Sequence, residues 1–494
     1  MHSLNVSHFY AGEEQQSLSS KRFESVNPAS GTKYAMVEYG TDDDVSAAVE
    51  NAHSTFVSGI WSKRPPAERA QALRKLAADI ELRINFLAMM EMRDCGKPMV
   101  NARRDVMRAS SLVSYFSSLP EQALGSVYAD DPGYHSYSTR EPYGVVASIL
   151  PWNLPFLFAV WKSIPALALG NSVVLKPSEE TPVTAIEFAK LCLLAGIPAG
   201  VVNVVQGDGV TGEVLVQHPL VKKITFTGST AVGRKILSST AGQVKGAHLE
   251  LGGKTANIVF NDADIDAAVD GALFSSFWNT GQICTSGTRL LLQQEIAPAF
   301  LSKLEQRLKK TVTVGDPARA ETQVGPLVSK RQYDKVREYI DLGVSEGATL
   351  KFGGDAPVIA GCESGYFLNP TLFTDVTSDM RIAQEEIFGP ITCVLTFKTE
   401  QDAVDIANDT EFGLAATIWT SDLARSRRLS ENLNAGILWT NCINRIRWNI
   451  PYEGHGLSGM GEDLGTECIR TFTKLKTNQV NVSGVTNVAF PVAM

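Results

Sequence analysis

Three side chains in this sequence have the chemistry to attack a carbonyl group and release the product. Cys284 sits in the run Asn279-Thr280-Gly281-Gln282-Ile283-Cys284-Thr285. A lone cysteine is more often a small buried hydrophobe than a nucleophile. Gly281, just ahead of it, lets the chain turn so that the thiol and its own backbone N–H face one cavity, and a thiolate there suits attack on a carbonyl carbon. Glu250 lies between Leu249 and Leu251, ahead of Gly252-Gly253. An acid in that setting is either a solvated surface group or a partly buried one with a raised pKa. The second is what a general base near neutrality needs. Asn153 follows Pro151-Trp152 at the end of an apolar run. Asparagine is common in turns. Its amide can also donate to a developing oxyanion, with the Cys284 N–H as second donor.

Other residues suit a nucleotide. Lys176-Pro177-Ser178-Glu179 ends another apolar run, and Lys176 and Glu179 can hydrogen-bond ribose hydroxyls; a solvated charged loop is the competing reading. Gly207-Asp208-Gly209-Val210-Thr211-Gly212 matches G-x-G-x-x-G, but lacks the acid about 20 residues on that completes the dinucleotide fingerprint, so it is not read as a standard phosphate loop. Gly228-Ser229-Thr230-Ala231-Val232-Gly233 follows a strand and opens a helix, whose N-terminal amides suit a pyrophosphate.

These residues need a scaffold that brings them together. Short apolar runs at Val145 to Leu150, Ser172 to Leu175, Val201 to Val205, Ile224 to Phe226 and Ala256 to Phe260 alternate with helix-like segments. That pattern predicts an α/β fold with a parallel sheet covered on both faces, and such sheets collect ligands at the carboxyl ends of their strands. Trp152, Asn153, Lys176, Glu179 and Gly228 stand at those ends. Before them, residues 1 to about 40 are polar and turn-rich, with a tight turn at Asn27 to Gly31. Asp42 to Asp44 open a helix, and residues 66–118 carry helical periodicity. A second α/β stretch runs from about 262 to 460. Residues 134–143 and Lys474 to Val482 alternate like exposed strands and need a partner edge, which predicts an arm pairing between subunits; a hairpin folded on its own domain is the alternative.

Bulk properties narrow the field. A chain of 494 residues holds two or three domains. A net charge of −8 argues against broad nucleic-acid or anionic-membrane binding. Seven cysteines with no CxxC pair suit a reduced compartment and give neither a disulfide framework nor a zinc site. No signal-peptide pattern and no membrane-length apolar run is present, so the cytoplasm is the expected location, with no metal.

Taken in order, Pro151-Trp152-Asn153-Leu154-Pro155, Lys176-Pro177-Ser178-Glu179, Phe226-Thr227-Gly228-Ser229-Thr230, Leu249-Glu250-Leu251-Gly252-Gly253-Lys254, Gly281-Gln282-Ile283-Cys284 and Glu385-Glu386-Ile387-Phe388-Gly389-Pro390 resemble the aldehyde dehydrogenase superfamily. The likeness runs from about residue 22 to about 480, and each motif is less specific than the ordered set. The resemblance implies a Rossmann-like NAD-binding domain (residues 1–131 and 151–260), an α/β catalytic domain (261–465) and a β oligomerisation arm (132–150 and 466–494), assembled as a homodimer or homotetramer. It implies Cys284 as nucleophile, Glu250 as deacylation base and Asn153 as oxyanion donor. Lys176 and Glu179 would hold the adenosine ribose, Gly209 would lie near the adenine, and Gly228 and Ser229 would receive the pyrophosphate. Glu386 and Phe388 would meet the nicotinamide ribose and ring, with Trp152, Gly233 and Gly252 also on the cofactor side. Phe158, Trp161, Trp278 and Tyr452 would line the aldehyde channel, with Trp448 near its mouth.

The sequence departs from the family pattern at Leu154, where phenylalanine is commoner, and across Pro451 to Asp463, near the expected substrate entrance. The implied reaction is oxidation of an aldehyde to its acid through a thioester on Cys284. Glu250 argues against transfer to coenzyme A, and the intact set argues against a catalytically silent relative used for structure or binding. Glu179 favours NAD over NADP, because a carboxylate repels a 2′-phosphate. An aromatic channel suits a betaine aldehyde or aminoaldehyde by cation–π contact, the first-ranked substrate. Aryl and alkyl aldehydes fit as well, and Arg445 and Arg447 would suit a semialdehyde carboxylate.

Overall fold

The apolar runs form two sheets, and the candidate residues stand on loops where the sheets meet. The computed structural model describes residues 4–485. In the first sheet five parallel strands lie in the order Gly246–Glu250, Val221–Thr227, Val145–Ile149, Ser172–Lys176, Val202–Val204. Chain order turns back at Val145–Ile149: the next two strands add on one side, the following two on the other. Loops leaving the strands on either side of such a point diverge and open a crevice. Here they are the turn at 150–154 and the turn at 228–229.

Both faces of this sheet are covered. Val145, Ala147 and Ile149 pack with Val45, Ala48, Val49 and Ala52 of the helix Asp42–Ser58. Val146, Val173 and Leu175 point the other way, into a core shared with the helix Pro155–Ala168. The helix Asp42–Ser58 begins where the acidic triplet predicts, under a capping box between Thr41 and Asp44.

The second sheet holds seven strands, and its central pairings are parallel. Ala256–Val259 belongs here, between Arg289–Gln293 and Ala415–Trp419, and not to the first sheet as its place in the apolar series predicts. Residues 251–255 carry the chain across. Spacing along a chain identifies a buried strand without saying which sheet it joins. The chain later returns: Gly459–Met460 pairs antiparallel with Gly246–Glu250.

Three other expectations change. The first forty residues contain strands, among them Arg22–Asn27 and Thr32–Glu38, joined by the expected turn. Val145–Ile149 lies inside the first sheet, and the helix Cys468–Phe472 packs against Pro155–Ala168, so neither belongs to an arm. The arm strands Tyr134–Pro142 and Thr473–Asn481 pair with each other over nine residues, within the chain, which leaves Thr473–Asn481 as the edge. The part of the expected arm beyond 485 lies outside the described residues. Among those described, no helix is long and apolar enough to cross a membrane.

Candidate active site

Cys284 follows three consecutive residues in the left-handed region: Asn279 (φ 51°), Thr280 (φ 59°) and Gly281 (φ 70°). A Cβ on Gly281 would stand 2.2 Å from the Gly389 carbonyl oxygen, so only glycine fits. The reversal puts the partly exposed Cys284 on the walls of two cavities. Glu250 and Asn153 share the first of these with it. The sulfur, the carboxyl and the amide, far apart in the chain, therefore face one space.

Each has a defined environment. The Cys284 sulfur lies 3.7 Å from the Tyr452 hydroxyl. Burial pushes its pKa up to about 12; the Tyr452 hydrogen bond pulls the other way, and the nearby Glu386 and Glu250 add to the rise. The Asn153 Nδ2 donates to the Gln282 carbonyl at 2.9 Å, which aims its amide toward the nucleophile loop and leaves its second hydrogen free. Glu250 ends its strand and is buried, with Oε1 lacking any hydrogen-bond partner. Burial holds its pKa well above the usual carboxylate range, although Lys162 opposes this.

Behind Glu250 stands a buried group absent from the sequence reading. His248 Nε2 lies 3.6 Å from both Glu250 and Asp463, and Lys162 Nζ donates to Asp463 at 2.5 Å. His248 is bonded through Nδ1 to Thr225, and burial pushes its pKa well down. The Lys162 ammonium compensates the Asp463 carboxylate, so the cluster holds its own cation.

The first cavity also has Phe158, Trp161, Trp278 and Tyr452 on its wall, as the resemblance implies. Two arginines not singled out from sequence, Arg104 and Arg108, line it as well. Their signal was available: they are four residues apart on the amphipathic helix Met99–Phe116, hence on one face. Arg445 and Arg447 instead line a different cavity with Ile437 and Ile450, so the semialdehyde reading based on them is corrected. Trp448 packs edge-on against Trp161 behind the wall.

Trp152, Gly228, Ser229, Gly252, Glu386 and Phe388 line the second cavity, with Asn153 and Cys284 at its inner end. Trp152 and Phe388 meet edge to face at 5.1 Å. Glu386 accepts from the Gly253 N–H at 3.0 Å, and burial pushes its pKa up to about 7. A Cβ on Gly252 would come within 2.5 Å of the Glu386 carboxylate. Ser229 caps the helix Thr230–Ala241. Lys335 and Gln332, missed from sequence, complete this wall.

The remaining candidates lie apart. Lys176 is buried, 3.6 Å from Glu179 at the end of its strand. Asp208, which caps the helix that Gly209 begins, acts electrostatically on Lys176, so these groups share one end of the sheet. Gly233 is buried against Leu251 and off the cavity wall; a Cβ there would approach the leucine to 2.6 Å. Its requirement for glycine comes from helix packing.

A cysteine between an aromatic pocket and a second cleft at a sheet switch point, with a buried carboxyl and an amide beside it, fits an α/β enzyme acting on a carbonyl. The chain belongs to the aldehyde dehydrogenase family, which it matches over residues 15–478. It is 42% identical over 470 residues to an aldehyde dehydrogenase of Aspergillus niger (95% of this chain, 93% of the other). It is 40% identical over 481 residues to a betaine aldehyde dehydrogenase of Sinorhizobium fredii (97% and 98%). Among solved structures, a betaine aldehyde dehydrogenase of Staphylococcus aureus in complex with NAD+ superposes with a TM-score of 0.95 at 35% identity, covering 98% of this chain and 96% of that one.

Proposed function

We propose that the protein oxidises an aldehyde to its carboxylic acid with NAD, through a thioester on Cys284. One observation carries this: Cys284, Glu250 and Asn153 line one cavity, and that cavity meets a second at the sulfur.

The second cavity fits a dinucleotide. The Glu386 carboxyl suits ribose hydroxyls, the Trp152–Phe388 pair suits a flat ring, and a glycine at 252 keeps the passage open beside Glu386. The helix beginning at Thr230 offers N-terminal amides to a pyrophosphate, while Lys176 and Glu179 would take the adenosine ribose. When bound, NAD accepts the hydride. Apart from the arm strand Tyr134–Pro142, residues 4–250 and the returning strand would form its domain, and residues 251–440 the catalytic domain.

The chain's own residues do the rest. The Cys284 thiolate adds to the aldehyde carbon, and the new oxyanion is held by the free Asn153 hydrogen and the Cys284 N–H. Loss of hydride from that carbon leaves a thioester. Glu250, ionised, takes a proton from water as the oxygen attacks the acyl carbon; the C–S bond breaks and the acid leaves. The proton can be shared with the His248–Asp463–Lys162 group behind Glu250. The protein supplies position and electrostatics.

One experiment tests reaction and cofactor together: reduced cofactor formed from a simple aldehyde, with NAD and with NADP, by the intact protein and by Cys284→Ser. The expected result is higher kcat/KM with NAD, and loss of turnover in the variant by several orders of magnitude. Turnover that survives in Cys284→Ser overturns the thioester route; a clear preference for NADP overturns the Glu179 argument.

The substrate is a small aldehyde. The cationic reading, betaine aldehyde or an aminoaldehyde, is supported by the aromatic wall and by relatives that bear that name. Arg104 and Arg108 on the same wall oppose it.

A further inference from the structure

The helix Met99–Phe116 turns Arg104 and Arg108 into the aldehyde cavity. Neither guanidinium has a carboxylate partner among the described residues; the nearest acid on that helix, Asp105, is held by Lys97 at 2.7 Å. The Arg108 Nη2 is buried with no hydrogen-bond acceptor. Burial lowers the Arg108 pKa; the Asp105 carboxylate partly opposes this, and the neighbouring Arg104 adds to the lowering. Like charges four residues apart on a helix repel. Leaving a buried guanidinium unpaired costs free energy unless a ligand fills the place.

Two of the cavity's rings, Trp278 and Phe274, already carry one of the protein's own cations, which leaves Phe158, Trp161 and Tyr452 to meet the substrate. Arg104 sits over Trp278 and Phe274 at 5.5 and 5.7 Å, and Arg108 over Trp448 at 5.1 Å. The acids on the wall provide little counter-charge. Asp463 is paired with Lys162, and burial disfavours the charged form of Glu250. Outside, Arg103, Arg104 and Arg108 border a shallow groove, so the entrance is basic on a chain whose net charge is −8. Such a mouth concentrates anions.

Resting on the reading above, we propose that the aldehyde carries a carboxylate at its far end, received by Arg104 and Arg108. A guanidinium takes a carboxylate through two parallel hydrogen bonds. The aromatic wall packs the hydrocarbon between carboxylate and aldehyde.

The test compares kcat/KM for three aldehydes of matched length ending in a carboxylate, a methyl and a trimethylammonium group. The carboxylate is expected to exceed the methyl by at least about tenfold, the scale of one charge-assisted hydrogen bond, and the ammonium to fall below it. In Arg108→Met and in Arg104→Gln, the carboxylate-to-methyl ratio should drop about tenfold, mainly through KM. The ratio is taken within one protein, so a partly misfolded sample does not alter it. A carboxylate aldehyde no better than its methyl counterpart, or a ratio unmoved by both substitutions, overturns the inference while leaving the oxidation standing. Failure to turn over any of the three aldehydes overturns both.

Discussion

At Cys284 two opposing influences meet, and their balance decides what the thiol does before any ligand arrives. Burial favours the neutral thiol; the Tyr452 hydroxyl favours the thiolate and does not win, leaving a pKa pushed up to about 12. The nucleophile therefore rests mainly as the thiol near neutrality. Alkylation by iodoacetamide, followed on the Cys284 peptide by mass spectrometry without cofactor, should rise roughly tenfold per pH unit from about pH 7 to 10, without levelling. A plateau near the ordinary thiol range of about 8.5 would contradict it. At this scale the sequence was informative where a motif fixes the backbone, as at Gly281 before Cys284 or Glu250 before Gly252. It gave no role to Arg108 or Asp463, although the spacing of Arg104 and Arg108 was visible, because their importance depends on which way a helix face and a returning loop turn. Arg445 and Arg447 show the converse: nearness in the chain to Tyr452 did not place their side chains in the aldehyde cavity.

Elements carry these side chains to the site, and their ends matter more than their middles. Asn153, Gly228 and Glu250 all stand where strands of the first sheet finish, which alternating strand and helix patterns made legible. The arm was legible only as two exposed strands. Their pairing with each other leaves Thr473–Asn481 as an edge whose Leu475 and Val480 are 55% and 43% exposed. An open edge with apolar side chains is what a second subunit would cover. We expect the intact chain to sediment as a dimer or tetramer, and Leu475→Asp with Val480→Asp to give a smaller species with unchanged near-ultraviolet circular dichroism. A monomeric intact chain, or a double variant of unaltered size, would refute this role for the arm.

The whole molecule places its chemistry at a junction. Residues 251–255 cross from the first sheet to the second, and the strand Gly459–Met460 comes back. Cys284 belongs to the second sheet's side and Glu250 to the first, so the site exists only when the two are joined. Local periodicity cannot reveal such long-range partners, and so Ala256–Val259 was assigned to the wrong sheet from sequence. The central claim is that Cys284 carries the acyl group and Glu250 releases it. Glu250→Gln, mixed with aldehyde and NAD, tests it most directly. The account predicts a burst of one NADH per site, little further turnover, and the acyl mass on the Cys284 peptide. Sustained turnover with that peptide unmodified would contradict it.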